Sequence, residues 1–147
     1  MIYIASDHAG FQLKKHLIKY IGEKLGKQIK DLGPAKFDDS DDFPDYAIPL
    51  AEEVVKNKED LGILICGSGH GMCIAANKVK GALAIVGYSI TGAELGRKHN
   101  NANVLCLAGR VITEDHASAI AKKFIETKFD GGERFVRRNR KIAALEQ

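Results

Sequence analysis

Residues 61–71 read Leu-Gly-Ile-Leu-Ile-Cys-Gly-Ser-Gly-His-Gly, an apolar run that ends in a glycine-rich turn. A short run without a charged residue is typical of a strand that is buried on both faces of a parallel sheet. The residues after the turn, Met72–Lys78, predict a helix. A strand, a turn and a helix in this order form one unit of an α/β fold.

Four more apolar runs lie along the chain, each bounded by glycine or polar residues. They predict the remaining strands, namely Ile2–Ala5, Ile29–Leu32, Ala82–Gly87 and Val104–Ala108. Amphipathic segments separate the runs, and right-handed crossovers then place helices on both faces of the sheet. We therefore expect a Rossmann-like, three-layer α/β/α fold around a five-stranded parallel sheet with the strand order 2-1-3-4-5.

The segments between the strands carry helix signals of their own. Apolar residues recur every four positions over residues 13–25, with lysines on the opposite side. Ser89 and Thr113 are the predicted N-caps of two later helices. Near Ile48 we expect a further helix to begin, because Pro49 is well tolerated only in the first turn of a helix.

The composition is that of a single globular domain, which we expect to cover residues 1–147. Hydrophobic residues make up 45% of the chain and charged residues 28%. The net charge of +3 is too small for a nucleic-acid-binding surface, and no apolar run approaches the roughly 20 residues that span a membrane. Three cysteines without a C-x-x-C pair argue against a disulfide framework or a zinc site and favour a reducing cytoplasm.

Two polar turns that contain glycine should meet at one edge of the sheet. Ligands of open parallel sheets bind beyond the carboxyl ends of the strands, where the strand order reverses. In the expected order this point lies between the first and third strands, which are followed by residues 6–10 and 66–71. Asp7 and His8 are therefore candidate contacts of a polar or anionic ligand, although Asp7 alone also fits a simple N-cap.

Cys66 is the candidate reactive group of this crevice. The turn after it presents backbone N–H groups at the start of a helix, which can hold a phosphate or an oxyanion and favour a thiolate. A buried structural cysteine explains the same spacing about equally well. The turn lacks the G-K-[ST] ending of a nucleotide-binding loop, and Met72 stands where a cysteine phosphatase needs arginine.

His99 and Asn100 precede the fifth strand and should lie at the opposite edge of the sheet. A strand of this length separates His99 from Cys66 by about 17 Å, which is too far to share a substrate within one chain. If both residues are catalytic, His99 comes from a second copy and the enzyme is an oligomer. Alternatively, His99 is only a cation that stabilises a helix C-terminus.

Two charged segments complete the chain. The acidic residues 37–42 predict a solvated loop, and the basic tail predicts a helix over about residues 132–146. Arginines suit anion binding because the guanidinium fork matches a phosphate group. The candidates are Arg110, Arg134, Arg137, Arg138 and Arg140. A solvated basic tail is the alternative, and it is the interpretation we keep for Arg137 and Arg140.

With these motifs the chain resembles the sugar-phosphate isomerase family that includes ribose-5-phosphate isomerase B and the galactose-6-phosphate isomerase subunits. The matching segments cover nearly the whole chain in order and are residues 6–11, 42–47, 65–72, 74–78, 99–100, 108–110 and 131–134. The resemblance implies an isomerase that interconverts D-ribose 5-phosphate and D-ribulose 5-phosphate through an enediolate. Some members have glycine in place of Cys66 and a glutamate base in place of Met72, so this chain resembles the thiol type.

The resemblance also implies roles for individual residues. Cys66 is implied as the catalytic base, and His99 as the catalytic acid that opens the sugar ring. The implied substrate-binding residues are Asp7, His8, Gly67, Ser68, Gly69, His70, Gly71, Asn100, Arg110, Arg134 and Arg138. One extra residue after Gly132 leaves Arg137 as the alternative to Arg138.

The family resemblance implies no metal and no organic cofactor. It implies a phosphorylated sugar as substrate and a homodimer or dimer of dimers with shared sites, in which the C-terminal helix packs on the partner subunit. Neither a nucleic acid nor a membrane is an expected partner. The alternatives are an isomerase of a six-carbon sugar phosphate such as allose or galactose 6-phosphate, a non-catalytic phosphosugar-binding module, and a cysteine hydrolase.

Overall fold

A single parallel sheet organises the computed structural model, which describes residues 1–146. Within these residues it has five strands, which are β1 (Ile2–Ser6), β2 (Ile29–Asp31), β3 (Leu61–Cys66), β4 (Ala84–Val86) and β5 (Val104–Ala108). Each strand lies close to a run that the sequence predicts. The α/β class and the parallel sheet are therefore confirmed.

The order of the strands differs from the prediction. The sheet runs β2-β1-β3-β5-β4, so the expected order 2-1-3-4-5 is wrong at its last two places. All residues of β5 are fully buried, whereas Ile85 and Val86 of the shorter β4 are partly exposed. The strand that is apolar on both faces takes the inner position, and the short strand forms the edge.

Helices cover both faces of the sheet. They are α1 (Phe11–Glu23), α2 (Pro44–Val54), α3 (His70–Ala76), α4 (Ile90–Asn100), α5 (Glu114–Glu126) and α6 (Glu133–Ala143), and a short 3₁₀ turn (His8–Gly10) precedes α1. The hydroxyls of Ser89 and Thr113 accept N–H bonds from the first turns of α4 and α5, as predicted for N-caps. No helix within residues 1–146 is long and apolar enough to cross a membrane.

The alternation of side chains along the strands sorts the core into two clusters. Ile63 and Ile65 of β3 pack towards α1, α4 and α5. Leu64 and Cys66 point to the other side and pack towards α2 and α3. The sulfur of Cys66 therefore belongs to the face that α3 covers, next to the turn from which α3 begins.

Helix α2 begins four residues before the predicted start near Ile48. Pro44 stands in its first turn, where the fixed φ of proline suits a helix and its missing N–H costs nothing. Pro49 therefore lies inside the helix and removes the N–H bond to the carbonyl of Asp45. Asp45 and Pro49 both lie on the exposed face of the helix, where the loss of one backbone hydrogen bond is tolerated.

The loop between β2 and α2 is anchored by a buried lysine. Lys14 of α1 is 1% exposed, and its Nζ donates to Oδ1 of Asp31 at 2.8 Å and to the carbonyl of Pro34 at 2.6 Å. The bonds hold the start of the loop against α1. The acidic residues 37–42 follow in this loop and pass close to the carboxyl ends of the strands.

Candidate active site

A cavity of about 470 Å³ lies beyond the carboxyl ends of β1, β3 and β5. It is lined by Asp7, His8, Ala9, Phe43, Cys66, Gly67, Ser68, Gly71 and Arg110. Seven of these residues are among the implied site residues. The structure thus brings together the two turns that were expected to meet and adds the turn that follows β5.

The glycine turn after β3 aims a backbone donor at Cys66. Gly69 has a φ of +83°, in the left-handed region that glycine adopts without strain, and α3 begins at His70, two residues earlier than predicted. The N–H of Gly69 donates to Sγ of Cys66 over 3.2 Å. Cys66 is 5% exposed and lines the cavity.

Replacing Gly69 with alanine is expected to destabilise the protein more than the matched change Gly26→Ala. Both glycines have positive φ, which costs an alanine about 1 kcal/mol. A Cβ at Gly26 meets open space, whereas one at Gly69 lies 3.3 Å from the backbone of Leu107. Thermal melts should show a fall of roughly 2–4 °C for Gly26→Ala and about twice that for Gly69→Ala. Equal shifts would mean that the crowding at Gly69 is unimportant.

Arg110 reaches the cavity because β5 lies directly beside β3. The N–H of Gly109 donates to the carbonyl of Cys66 at 2.8 Å, and the N–H of Arg110 donates to that of Gly67 at 3.1 Å. A Cβ at Gly67 would lie 3.4 Å from Cδ of Arg110, so glycine leaves room for the arginine side chain. Cys66 and Arg110 of the same chain thereby line one cavity.

Asp7 both caps a turn and lines the cavity. Its Oδ1 accepts the N–H groups of Ala9 at 2.9 Å and Gly10 at 3.2 Å, as an N-cap does. Burial raises the pKa of the Asp7 carboxyl, and the hydrogen bonds from Gly10 and Ala9 oppose the rise. Asp7 can therefore be both an N-cap and a ligand contact, because the capping bonds hold its carboxyl at the cavity wall.

His8 is held by Asp41, a residue that sequence reasoning placed in a solvated loop. The side chain of Asp41 is only 5% exposed, so the expectation is wrong for this residue. Its Oδ1 accepts the backbone N–H of His8 at 3.0 Å and lies 2.7 Å from Nδ1 of the ring. Residues 38, 39, 41 and 42 are all aspartates, and nothing in the sequence indicates which of them turns inward.

Asp7, His8 and Asp41 also form the group whose ligand-type atoms lie within 4.8 Å of one another. Nδ1 of His8 and Oδ1 of Asp41 already share a hydrogen bond, and Oδ1 of Asp7 is occupied by backbone donors. The arrangement is that of an ordered Asp–His pair beside a capping carboxylate, which accounts for the cluster by hydrogen bonding.

His70, one of the implied substrate-binding residues, does not line the cavity and pairs instead with Tyr88, a residue that sequence reasoning missed. His70 is exposed, and its ring stacks on Tyr88 with the centroids 5.8 Å apart. The hydroxyl of Tyr88 donates to the carbonyl of Ser68 at 2.6 Å. Tyr88 follows the edge strand β4, so its contact with the glycine turn depends on the folded sheet and has no local signal.

The remaining implied residues lie elsewhere. His99 and Asn100 end α4 and precede β5 at its amino end, whereas Cys66 pairs with Ala108 at the carboxyl end of β5. The ring of His99 stacks on Phe135 of α6 with the centroids 4.4 Å apart. Nδ2 of Asn139 donates to the carbonyl of His99 at 3.0 Å. Cys66 and His99 thus face opposite edges of the sheet.

Arg134 and Arg138 are exposed on α6, the helix whose Phe135 and Asn139 contact His99. We call these four residues (His99, Asn100, Arg134 and Arg138) the α4–α6 cluster. The helix that carries the arginines ends at Ala143, so it is shorter than the predicted 132–146. None of the four lines the cavity at the carboxyl ends of the strands.

Comparisons with known proteins agree with this architecture. The sequence profile of the family described as Ribose/Galactose Isomerase matches residues 2–142. A protein of Mycoplasma pneumoniae described as "Probable ribose-5-phosphate isomerase B" is 47% identical over 146 residues, which are 99% of this chain and 95% of that protein.

Solved structures show the same likeness. The crystal structure of ribose-5-phosphate isomerase B from Mycoplasma genitalium with bound ribulose-5-phosphate is 48% identical, with a TM-score of 0.94 over 99% of this chain and 95% of that chain. A ribose 5-phosphate isomerase from Thermotoga maritima is 44% identical, with a TM-score of 0.92 over 98% and 97%. With a family profile that spans nearly its whole length and relatives this similar, the chain belongs to the Ribose/Galactose Isomerase family.

Proposed function

We propose that this enzyme interconverts D-ribose 5-phosphate and D-ribulose 5-phosphate without a cofactor. One observation carries the proposal, namely that a thiol and an arginine line the same cavity at the ends of β3 and β5. The family membership supports it, as does the relative from Mycoplasma genitalium that binds ribulose-5-phosphate.

Cys66 moves the proton in this mechanism. The thiolate takes the proton from C2 of the open-chain aldose, and the electrons of that C–H bond form the C1–C2 double bond of an enediolate. The C1 oxygen gains negative charge, which backbone N–H groups of the glycine turn stabilise. The thiol then returns the proton to C1, while the proton on the C2 oxygen passes to the C1 oxygen and leaves a ketone at C2.

The phosphate end of the substrate is held by cations. His8 and Arg110 come from the protomer that carries Cys66, and both line its cavity. Arg134 and Arg138 come from the α4–α6 cluster of a partner subunit, together with His99 as ring-opening acid and Asn100 as sugar contact. Guanidinium groups bind phosphate through paired N–H donors, so several arginines suit a dianionic substrate.

A homodimer with shared sites, or a dimer of such dimers, assembles these two halves. Exposed apolar side chains flank the edge strand β4, where Ile74 is 65% exposed and Tyr88 and Ile90 each 39%. A depression of about 620 Å³ runs along α6, a helix that contacts the rest of its own protomer mainly through α4. We propose that a second copy covers the exposed edge and that α6 packs on this copy.

Each subunit forms one domain over residues 1–147. The three free thiols suit the cytoplasm as the compartment.

Turnover in heavy water tests the reaction. Purified enzyme should convert ribose 5-phosphate much faster than allose 6-phosphate or galactose 6-phosphate, and deuterium should enter the product at the carbon that receives the proton. Faster turnover of a six-carbon substrate would reassign the substrate. Binding without turnover of any of the three would leave a phosphosugar-binding module, and release of phosphate would indicate a hydrolase.

Replacing Arg134 with alanine is expected to raise the KM for ribose 5-phosphate by about tenfold or more, because a charged hydrogen bond to phosphate is lost. The melting temperature should hardly change, since the side chain is exposed and its main contact is the neighbouring Phe135 ring. Arg140→Ala on the same helix is the control and should leave KM unchanged. An unaltered KM in Arg134→Ala would make this arginine part of a solvated tail.

A further inference from the structure

Asp41 holds the ring of His8 beside the cavity. Asp41 contacts both the backbone and the ring of His8, through one oxygen at 3.0 and 2.7 Å. Its second oxygen, Oδ2, is buried and has no hydrogen-bond partner within residues 1–146. A buried carboxylate is costly unless neighbouring groups compensate it. The His8 ring is the cation beside Asp41, and the hydroxyl of Tyr46 on α2 also interacts with the carboxylate.

The orientation of His8 follows from this contact. Because Nδ1–H is bound to Asp41, the donor left for a ligand is Nε2–H. The His8 side chain is 26% exposed and lines the same cavity as Arg110. The ring of Phe37 meets that of His8 edge-on, with the centroids 6.5 Å apart, and restricts its tilt.

We propose that Asp41 is a positioning residue that keeps His8 cationic, with Nε2–H available in the cavity to bind the phosphate group of the substrate. This inference rests on the proposed function for the identity of the substrate. The anion-binding chemistry itself requires only the pair and Arg110. Asp41 touches neither the cavity nor the reacting atoms and acts through the ring it holds.

The charged groups around His8 favour this state. The hydrogen bond to Asp41 raises the pKa of His8, burial opposes the rise, and the Asp7 carboxylate supports it. Arg110 lowers the pKa of His8, and Asp38 in the same loop as Asp41 also interacts with the ring charge. Since the folded pKa is raised, anion binding through His8 is strongest below it and is lost as the pH rises through it.

Asp41→Asn is the variant that tests the inference, because it keeps the shape of the side chain and removes its charge. At neutral pH the dissociation constant for inorganic phosphate and the KM for ribose 5-phosphate should both rise about tenfold, as one charged hydrogen bond weakens. The kcat should change little. Asp39→Asn, in the same loop but exposed, removes an equal charge and should leave all three values unchanged.

The pH dependence separates positioning from a merely structural effect. The pH above which phosphate binding weakens should move downward in Asp41→Asn, and so should the His8 titration followed by NMR of the ring carbons. Asn in place of His8 should abolish the response, so that the double variant His8→Asn, Asp41→Asn binds phosphate as His8→Asn alone does. Additive losses in the double variant would overturn the proposal.

The wild-type protein provides a readout if Asp41→Asn does not fold. Its His8 should titrate above the ordinary histidine value of 6.5, and a value at or below 6.5 would overturn the inference. Titration and phosphate binding need no turnover. Failure to isomerise ribose 5-phosphate would therefore contradict the proposed function alone, whereas an unshifted His8 titration in Asp41→Asn would contradict this inference alone.

Discussion

Replacing Cys66 with alanine is expected to lower kcat for ribose 5-phosphate by about a thousandfold, because the proton on C2 then has no positioned base. The KM should change much less, since His8 and Arg110 remain in the cavity and bind the phosphate. The melting temperature should stay within about 4 °C of the wild type, as a buried thiol-to-methyl change costs about 1 kcal/mol. Steady-state kinetics and a thermal melt measure all three quantities.

Thiol labelling provides an independent check of Cys66. A second thiol complicates it, because the hydrogen bond from Cys106 lowers the pKa of the half-exposed Cys73 to about 7. Iodoacetamide should therefore be used on the Cys73→Ser variant. Cys73 does not line the cavity, so this change leaves the cavity lining intact. Labelling of Cys66 should then inactivate the enzyme, and ribose 5-phosphate should protect it. Near-normal kcat in a folded Cys66→Ala protein would exclude the thiol as base.

Mixing two inactive variants, Cys66→Ala and His99→Ala, is expected to restore activity. In a mixed dimer one site combines Cys66 of one subunit with His99 of the other, and both groups are intact there. Random exchange makes half of the dimers mixed, with one working site of two, so activity should return to about a quarter of the wild-type value. Activity measured before and after subunit exchange gives the result.

A verified mixed dimer is needed for a negative result to count. Two affinity tags, one on each variant, allow the mixed species to be purified and assayed by itself. A mixed dimer without activity would show that Cys66 and His99 do not serve one site. The control mixes wild type with the double variant that carries both changes in one chain. Each site of that mixed dimer lacks one of the two groups, so the mixture should give no activity beyond that of the wild-type subunits.

Much of the fold was predictable from local patterns. The apolar run at residues 61–66 and the cap at Ser89 act over a few neighbouring positions, and the structure places β3 and α4 there. The predicted start of α2 was wrong because it placed Pro49 in the first turn, whereas Pro44 occupies the first turn and Pro49 lies inside the helix. Whether a helix tolerates a proline beyond its first turn depends on the exposure of the freed carbonyl. That exposure depends on the packed structure.

The site divides along the same line. Cys66 and Asp7 were predictable as cavity residues because Cys66 ends β3 and Asp7 directly follows β1, and these strands lie side by side in either strand order. Arg110 joined them within the same chain only because β5 lies next to β3, a choice made by burial of the more apolar strand. Asp41 had no sequence signal, since one acidic residue among several turned inward to meet a histidine 33 positions away.

Short-range chemistry in the chain was thus sufficient for the strands, the caps, the glycine turn and the position of Cys66 at the end of β3, because each depends on side-chain spacing along a single element. Which strand takes the centre of the sheet, which arginine stands beside the thiol and which carboxylate holds His8 were decided by packing between distant segments. Those outcomes depend on the total apolar surface that the folded chain buries, and no local stretch of sequence contains that quantity.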